Sequence, residues 1–185
     1  MHTPSNPNAA LRKQRGVTLI ELLVVISIIA VLASLAFPVT QSILQRAYKV
    51  KTQATVKDLQ VAINNYLTEY NRLPSRTGSS DTPVQTDQAG NLVAILLGEE
   101  ETLNPREIPF LNANMAKNGR GGLIDNGGSS LSLVDNWGNA YWVIMDGDGD
   151  NKIQPNPDTQ NQDQSISQGA PQNLRTRVAV FSAGP

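Results

Sequence analysis

A chain of 185 residues suits one moderate domain that can bury a core without staples, and the absence of cysteine excludes disulfides, thiol nucleophiles and thiolate metal sites. Of its 15 basic residues, Arg12, Lys13 and Arg15 fall in the first sixteen positions, where there is no acidic residue; without them 12 basic residues face 16 acidic ones, a net charge of −4. A mildly acidic body with no Lys/Arg run and 5% aromatic content argues against nucleic-acid binding by phosphate neutralisation or base stacking.

Val17 to Phe37 (VTLIELLVVISIIAVLASLAF) is a run of 21 residues whose only charge is Glu21. As a helix it would be roughly 30 Å long, enough to cross the hydrocarbon of a bilayer. The basic residues ahead of it keep the N-terminus cytoplasmic and send the rest of the chain outward. A secretory signal peptide with a small-residue cleavage site at Ser34-Leu35-Ala36, a plain membrane anchor and a buried core helix are the competing readings. The run is longer than a signal core, and a carboxylate near its head is costly in lipid unless it has a partner.

Arg15-Gly16-Val17-Thr18-Leu19-Ile20-Glu21-Leu22 resembles the class III signal of type IV pilins and pseudopilins, in which a membrane prepilin peptidase cuts after glycine and methylates the new N-terminus. The resemblance implies a leader of residues 1–16, a cut after Gly16, methylation of Val17, an assembly role for Glu21 and a helix-bending proline at Pro38. The family usually begins its mature chain with phenylalanine; here Val17 takes that place. The new α-amine at Val17 would carry a positive charge that the Glu21 carboxylate can neutralise, in the same subunit or a neighbour, offsetting the cost of either charge in apolar surroundings.

Beyond a transmembrane and filament-core helix over 17–38, the spacing of Val39, Ile43, Ala47, Val50 and Ala54, then Leu59, Ile63, Tyr66 and Tyr70, predicts an amphipathic continuation over 39–73. A helix from Thr18 to about Asn71 would measure ~80 Å. Pro38 removes one of its backbone hydrogen bonds and should bend it. Arg72-Leu73-Pro74 should end it, because the residue before proline disfavours the α region.

Residues 74–185 are then a globular head. The polar stretch 75–88 reads as a loop, Asn91 to Leu97 closed by Gly98 as a short helix, and glycine-rich Asn118 to Ser130 as irregular. Tyr141 to Met145 and Val178 to Phe181 are apolar runs that predict buried strands. The fold class expected is α+β: a long N-terminal helix, its first half transmembrane, packed on a small antiparallel sheet with long loops.

Asp146, Asp148 and Asp150 alternate through a glycine-rich stretch, Asp146-Gly147-Asp148-Gly149-Asp150-Asn151-Lys152-Ile153. Carboxylates so spaced can converge on Ca²⁺, which takes six to eight oxygen ligands in irregular geometry. Ile153 would anchor the loop, but Asn151 and Pro157 stand where an EF-hand has glycine and glutamate, so the site would be completed by the Lys152 carbonyl, Asp158 or Asp163. An exposed acidic turn without metal is the alternative.

Asp135-Asn136-Trp137-Gly138-Asn139-Ala140-Tyr141 is similar to the Asp-Pro-Trp-Gly-X-Pro-Tyr element of the major, G-type pseudopilin of type II secretion, with Asn136 and Ala140 in place of its prolines. Phe181-Ser182-Ala183-Gly184-Pro185 resembles the Ser-X-Gly stretch that closes that subfamily. The resemblance implies a structural calcium in the acidic loop and a single-pass inner-membrane protein with a periplasmic head. It further implies assembly into a homo-oligomeric secretion pseudopilus with other pseudopilins on an inner-membrane platform, supporting protein export across the outer membrane. A type IV pilus or competence pilin is the alternative in a binding class, and an enzyme or sensor behind a borrowed signal is a third. His2, the only histidine, lies in the leader, which leaves no histidine-based triad or imidazole metal site in the mature chain and makes an enzyme the least supported.

Overall fold

The computed structural model describes residues 16–74, 81–88, 91–127 and 130–185, with the side chains of residues 35–40 outside that description. The chain divides into two compact units, Met1–Leu44 and Gln45–Pro185. Helix α1 (Leu19–Tyr70) contributes to both and continues through Pro38.

In the first unit every large apolar side chain from Val17 to Leu32 is at least 47% exposed. The hydroxyls in this stretch are satisfied within the helix: Ser27 Oγ donates to the Val24 carbonyl and Ser34 Oγ to that of Val31, each at 2.7 Å. Such closure suits an apolar environment, where no water relieves an orphaned polar group. Among the described residues no helix is long and apolar enough to cross a membrane; the predicted span runs on to Phe37, past Ser34, the last side chain described in this stretch.

The second unit is built on the rest of α1. Leu59, Ala62, Ile63 and Tyr66 are fully buried, the i, i+3, i+4, i+7 pattern of one helix face. Against them pack α2 (Leu92–Leu97), a three-stranded antiparallel sheet and a two-stranded one. At about 1.5–3 kcal/mol for each fully buried aliphatic side chain, this face is the main attachment of α1. The stripe expected nearer the membrane is not the buried face. Ile43 and Val50 are 59% and 65% exposed, Ala47 and Ala54 are exposed, and the inward positions are Tyr48, Thr52, Val56 and Leu59. The helix turned its more polar face inward because the neighbouring loop offers hydrogen-bond partners there: Asn136 Nδ2 donates to Thr52 Oγ1 at 3.0 Å.

The first sheet has the order β1 (Val84–Gln85), β4 (Trp142–Met145), β5 (Val178–Phe181). Register pairs Val84 with Val143, and Trp142 with Phe181, whose rings stack with centroids 6.2 Å apart. The second pairs β2 (Gly122–Asp125) with β3 (Leu131–Val134), Gly122 opposite Val134. Thr86 joins the sheets, its hydroxyl donating to the Leu133 carbonyl and accepting from the Tyr141 amide. The strands at the C-terminal runs and α2 with its Gly98 stop match expectation. Gly98 sits at φ +84, where a Cβ would lie 2.8 Å from the Glu107 carbonyl oxygen.

Two loops expected from composition hold strands instead. β1 lies inside 75–88, and β2 lies inside the glycine-rich 118–130. Gly122 shows why glycine is compatible with a strand there: a Cβ would meet the Asn114 carbonyl oxygen at 2.4 Å. Its absence lets residues 114–116 run alongside β2, with the Leu123 amide bonding the Asn114 carbonyl and Ala116 the Leu123 carbonyl. A short 3-10 helix (Pro157–Gln160) and α3 (Gln164–Ser167) complete the chain.

Candidate functional site

Three groups of residues carry the functional argument. At the head of α1, Thr18 and Glu21 form a reciprocal capping box: the Glu21 amide donates to Thr18 Oγ1 at 3.3 Å, while Glu21 Oε2 accepts from the Thr18 amide at 2.7 Å and its hydroxyl at 2.8 Å. The carboxylate is thereby turned back toward the N-terminus, one residue from Val17. Gly16 and Val17 are both exposed, and a Cβ on Gly16 would meet nothing within 4 Å, so the backbone around the 16/17 bond is open to approach.

The second group is the acidic loop. Asp81, Asp146 and Asp148 each offer a carboxylate oxygen, all within 4.8 Å of one another. Asp146 is buried and organises the turn, Oδ1 accepting from the Gly149 amide at 2.7 Å and Oδ2 from the Asn151 amide at 2.9 Å. Asp81, distant in sequence, accepts from the amides of Gly147 and Gln154 and so clips both sides of the loop. Ile153 is fully buried behind it, bridged to Leu174. Asp150 stands apart, its carboxylate taken by the Lys152 amide at 2.8 Å and ammonium at 3.3 Å. Asp158 is exposed on the 3-10 helix, and Asp163 caps α3, where the Ser165 hydroxyl and amide hold its carboxyl below the usual carboxylate range. Of the residues predicted to meet, the structure brings together Asp146 and Asp148 and adds Asp81.

The third group unites the two C-terminal elements. Asp135 is fully buried, with Oδ1 accepting from the amides of Trp137, Gly138 and Asn139 at 2.8–2.9 Å and Oδ2 from the Ser182 hydroxyl at 2.6 Å. Asn139 Nδ2 donates to the Gly184 carbonyl. The turn so held lays Trp137 on α1, its indole donating to Gln45 Oε1 and its ring edge-on to Tyr48.

The profile described as "Prokaryotic N-terminal methylation motif" matches residues 11–37. Type II secretion system core protein G of Escherichia coli K12 is 30% identical over 136 residues, 74% of this chain and 75% of that protein. This chain belongs to the type II secretion core protein G family. A core protein G from Pectobacterium carotovorum is 40% identical over 63 residues, 34% of this chain and 40% of that one, and a fimbrial protein from Neisseria meningitidis serogroup A is 32% identical over 80 residues, 43% and 47%. In these two comparisons the chain spans less than half the length of the relative. No solved structure matches.

Within this core protein G family chain, two contributors escape a reading for composition and periodicity. Thr18 is signalled by the Thr-x-x-Glu spacing just ahead of an apolar run, which marks a helix start. Asp81 has no local signal: it lies 65 residues before Asp146 and reaches the loop only through the tertiary fold.

Proposed function

We propose that the protein is a structural subunit of a type II secretion pseudopilus, anchored in the inner membrane by the first half of α1 and carrying its second unit in the periplasm. The observation that supports this is the methylation motif matched over 11–37, a span that contains Gly16, Val17 and Glu21, in a chain aligned to core protein G over 74% of its length. A prepilin peptidase would cut after Gly16 and methylate Val17. Glu21, held one residue from the new α-amine by Thr18, would neutralise it. The exposed apolar side chains of α1, from Val17 to Leu32 and on to Ile43, Leu44 and Val50, would serve first in lipid and then in subunit contacts. Other pseudopilins and an inner-membrane platform are the partners this implies, and no catalytic step belongs to it. Mass spectrometry of the membrane-extracted protein is expected to give a methylated Val17 as first residue; Phe37 in that place would mean signal-peptide processing and defeat the proposal.

The match to a fimbrial protein favours a type IV pilus or competence pilin as second reading. Deleting the gene separates them: periplasmic retention of exoproteins with unchanged adhesion, motility and DNA uptake supports the secretion role, and the reverse supports the pilus.

The acidic loop fits a structural Ca²⁺. Asp81, Asp146 and Asp148 are hard oxygen donors within reach of one ion, and no cationic side chain is salt-bridged to them among the described residues. An oxygen that accepts one amide keeps a second lone pair for a metal. Backbone carbonyls and water would complete the shell. A ligand bound only by the folded state at 100 times its dissociation constant contributes about 2.7 kcal/mol. A fragment beginning at Gln41 is therefore expected to melt several degrees higher in millimolar Ca²⁺ than in EDTA, with the rise lost in Asp81→Ala and Asp148→Ala and poorly reproduced by Mg²⁺. Indifference of the wild-type fragment to Ca²⁺ would leave a solvated turn.

A further inference from the structure

The sequence offers no basic run, yet the fold gathers one. Lys117 and Arg120 flank an Asn118-Gly119 turn with φ of +53 and +71, and exchange both backbone hydrogen bonds across it at 3.1 Å, the geometry that sets flanking residues directly opposite each other. Like charges so placed repel. Lys51 on α1 makes a third: a Cβ on Gly121 would lie 3.3 Å from its ammonium. These three cations line an opening of about 560 Å³ together with Tyr48, Asn118 and Asn136 and, among the described residues, no carboxylate. They also border an adjoining one of about 670 Å³, where Asp58 is the only acid among the described residues. None of the three is ion-paired among the described residues. This notch concentrates positive charge and hydrogen-bond donors at a cost in repulsion that an anionic occupant would relieve.

At the other end of the same unit the sign reverses. Glu99, Glu100 and Glu101 follow Gly98 consecutively, and Glu99 and Glu101 are exposed. The loop is fixed to the C-terminal end of α1 by Tyr66 and Arg72, both donating to the Leu103 carbonyl. From Lys51 to Tyr66 is about 22 Å along the helix, so one chain's glutamates cannot reach its own notch.

We infer that the Lys51–Lys117–Arg120 notch receives the Glu99–Glu101 loop of a second copy of this chain. The inference rests on the filament reading above and names a contact within it. Three cations meet the exposed carboxylates of Glu99 and Glu101, while Glu100 keeps the bond it accepts from the Leu103 amide, and the contact joins unlike surfaces, a heterologous interface that repeats along a filament without closing. Charge pairing at such a contact sets register and excludes wrong neighbours.

The full chain, expressed in cells with its assembly machinery, tests this, and its lack of cysteine makes the readout clean. Asn114→Cys at the notch and Thr102→Cys beside the glutamates leave the charges of both surfaces in place. Carrying both, the chain is expected to oxidise to a ladder of covalent oligomers in sheared filaments, and either alone to give none. Lys117→Glu with Arg120→Glu should lower filament yield about tenfold, as should Glu99→Lys with Glu101→Lys, and the four together should restore most of it. Filaments without the ladder, a dimer from Asn114→Cys alone, or charge reversals that leave yield unchanged or are not rescued would each overturn the pairing while leaving the filament reading intact. No filament from the unaltered chain would overturn both.

Discussion

Glu21→Leu is expected to lower filament yield at least about a hundredfold below that of the native chain. The scale is that of removing one partner from an ion pair held out of water, which leaves the other charge uncompensated. The capping box adds a second role to be separated from charge, since Glu21 Oε2 also satisfies the Thr18 amide. Glutamine at this position can make the same capping bond but carries no charge. Glu21→Gln should therefore leave the start of α1 intact and still fail to assemble. Filaments from Glu21→Gln but not from Glu21→Leu would assign the residue to helix capping, and filaments from both would remove the charge-pairing account. Imaging and a shearing assay on cells expressing each variant decide among these outcomes.

What the sequence discloses about this molecule follows the range of the interactions involved. The apolar run, the Gly16–Glu21 register and the stop of α1 at Tyr70 rest on neighbours within a few positions, so they are legible along the chain. The same holds for α2, where Gly98 supplies a left-handed residue that others adopt with strain. β4 and β5 are legible because they are apolar throughout and no residue of either is exposed. β1 is not: two residues, Val84 and Gln85, become a strand only by pairing with Val143 and Trp142. Nor is β2, whose one glycine, Gly122, admits the 114–116 segment rather than marking irregular chain. The face of α1 between Tyr48 and Val56 was concealed for a related reason. Apolar spacing favours Ala47, Val50 and Ala54, but the partner that docks there is the Asn136–Trp137 turn, which seeks Thr52 and Gln45. The acidic loop is intermediate: alternating aspartates reveal Asp146 and Asp148, and only the fold supplies Asp81.

Asp135→Ala is expected to be the most damaging single change in the head, costing about 3–5 kcal/mol. One carboxylate oxygen satisfies three successive amides and the other a hydroxyl from the C-terminal segment. Truncation leaves those donors to find water or go unpaired, at about 1–3 kcal/mol for each buried group left unsatisfied. A domain of this size has only about 5–15 kcal/mol in all, so the melting temperature should fall by more than 10 °C. The loss should spread outward, because the turn presents Asn136 and Trp137 to α1 and holds Asn139 against the Gly184 carbonyl. Asp135→Asn is the control. Its amide oxygen can accept the same three amides, and its NH₂ can donate to Ser182 Oγ once that hydroxyl reverses its role, while the burial of a formal charge is relieved. It should cost about 1 kcal/mol or less, and less than Ser182→Ala, which removes both the bond to Oδ2 and the one that Ser182 Oγ accepts from the Gly184 amide. Thermal and urea unfolding of the fragment beginning at Gln41, followed through Trp137 and Trp142 fluorescence, would measure all three. Equal losses for Asp135→Asn and Asp135→Ala would assign the residue's importance to its charge, and a small loss for Asp135→Ala would show that water replaces the carboxylate and that the turn is held by its contacts with α1.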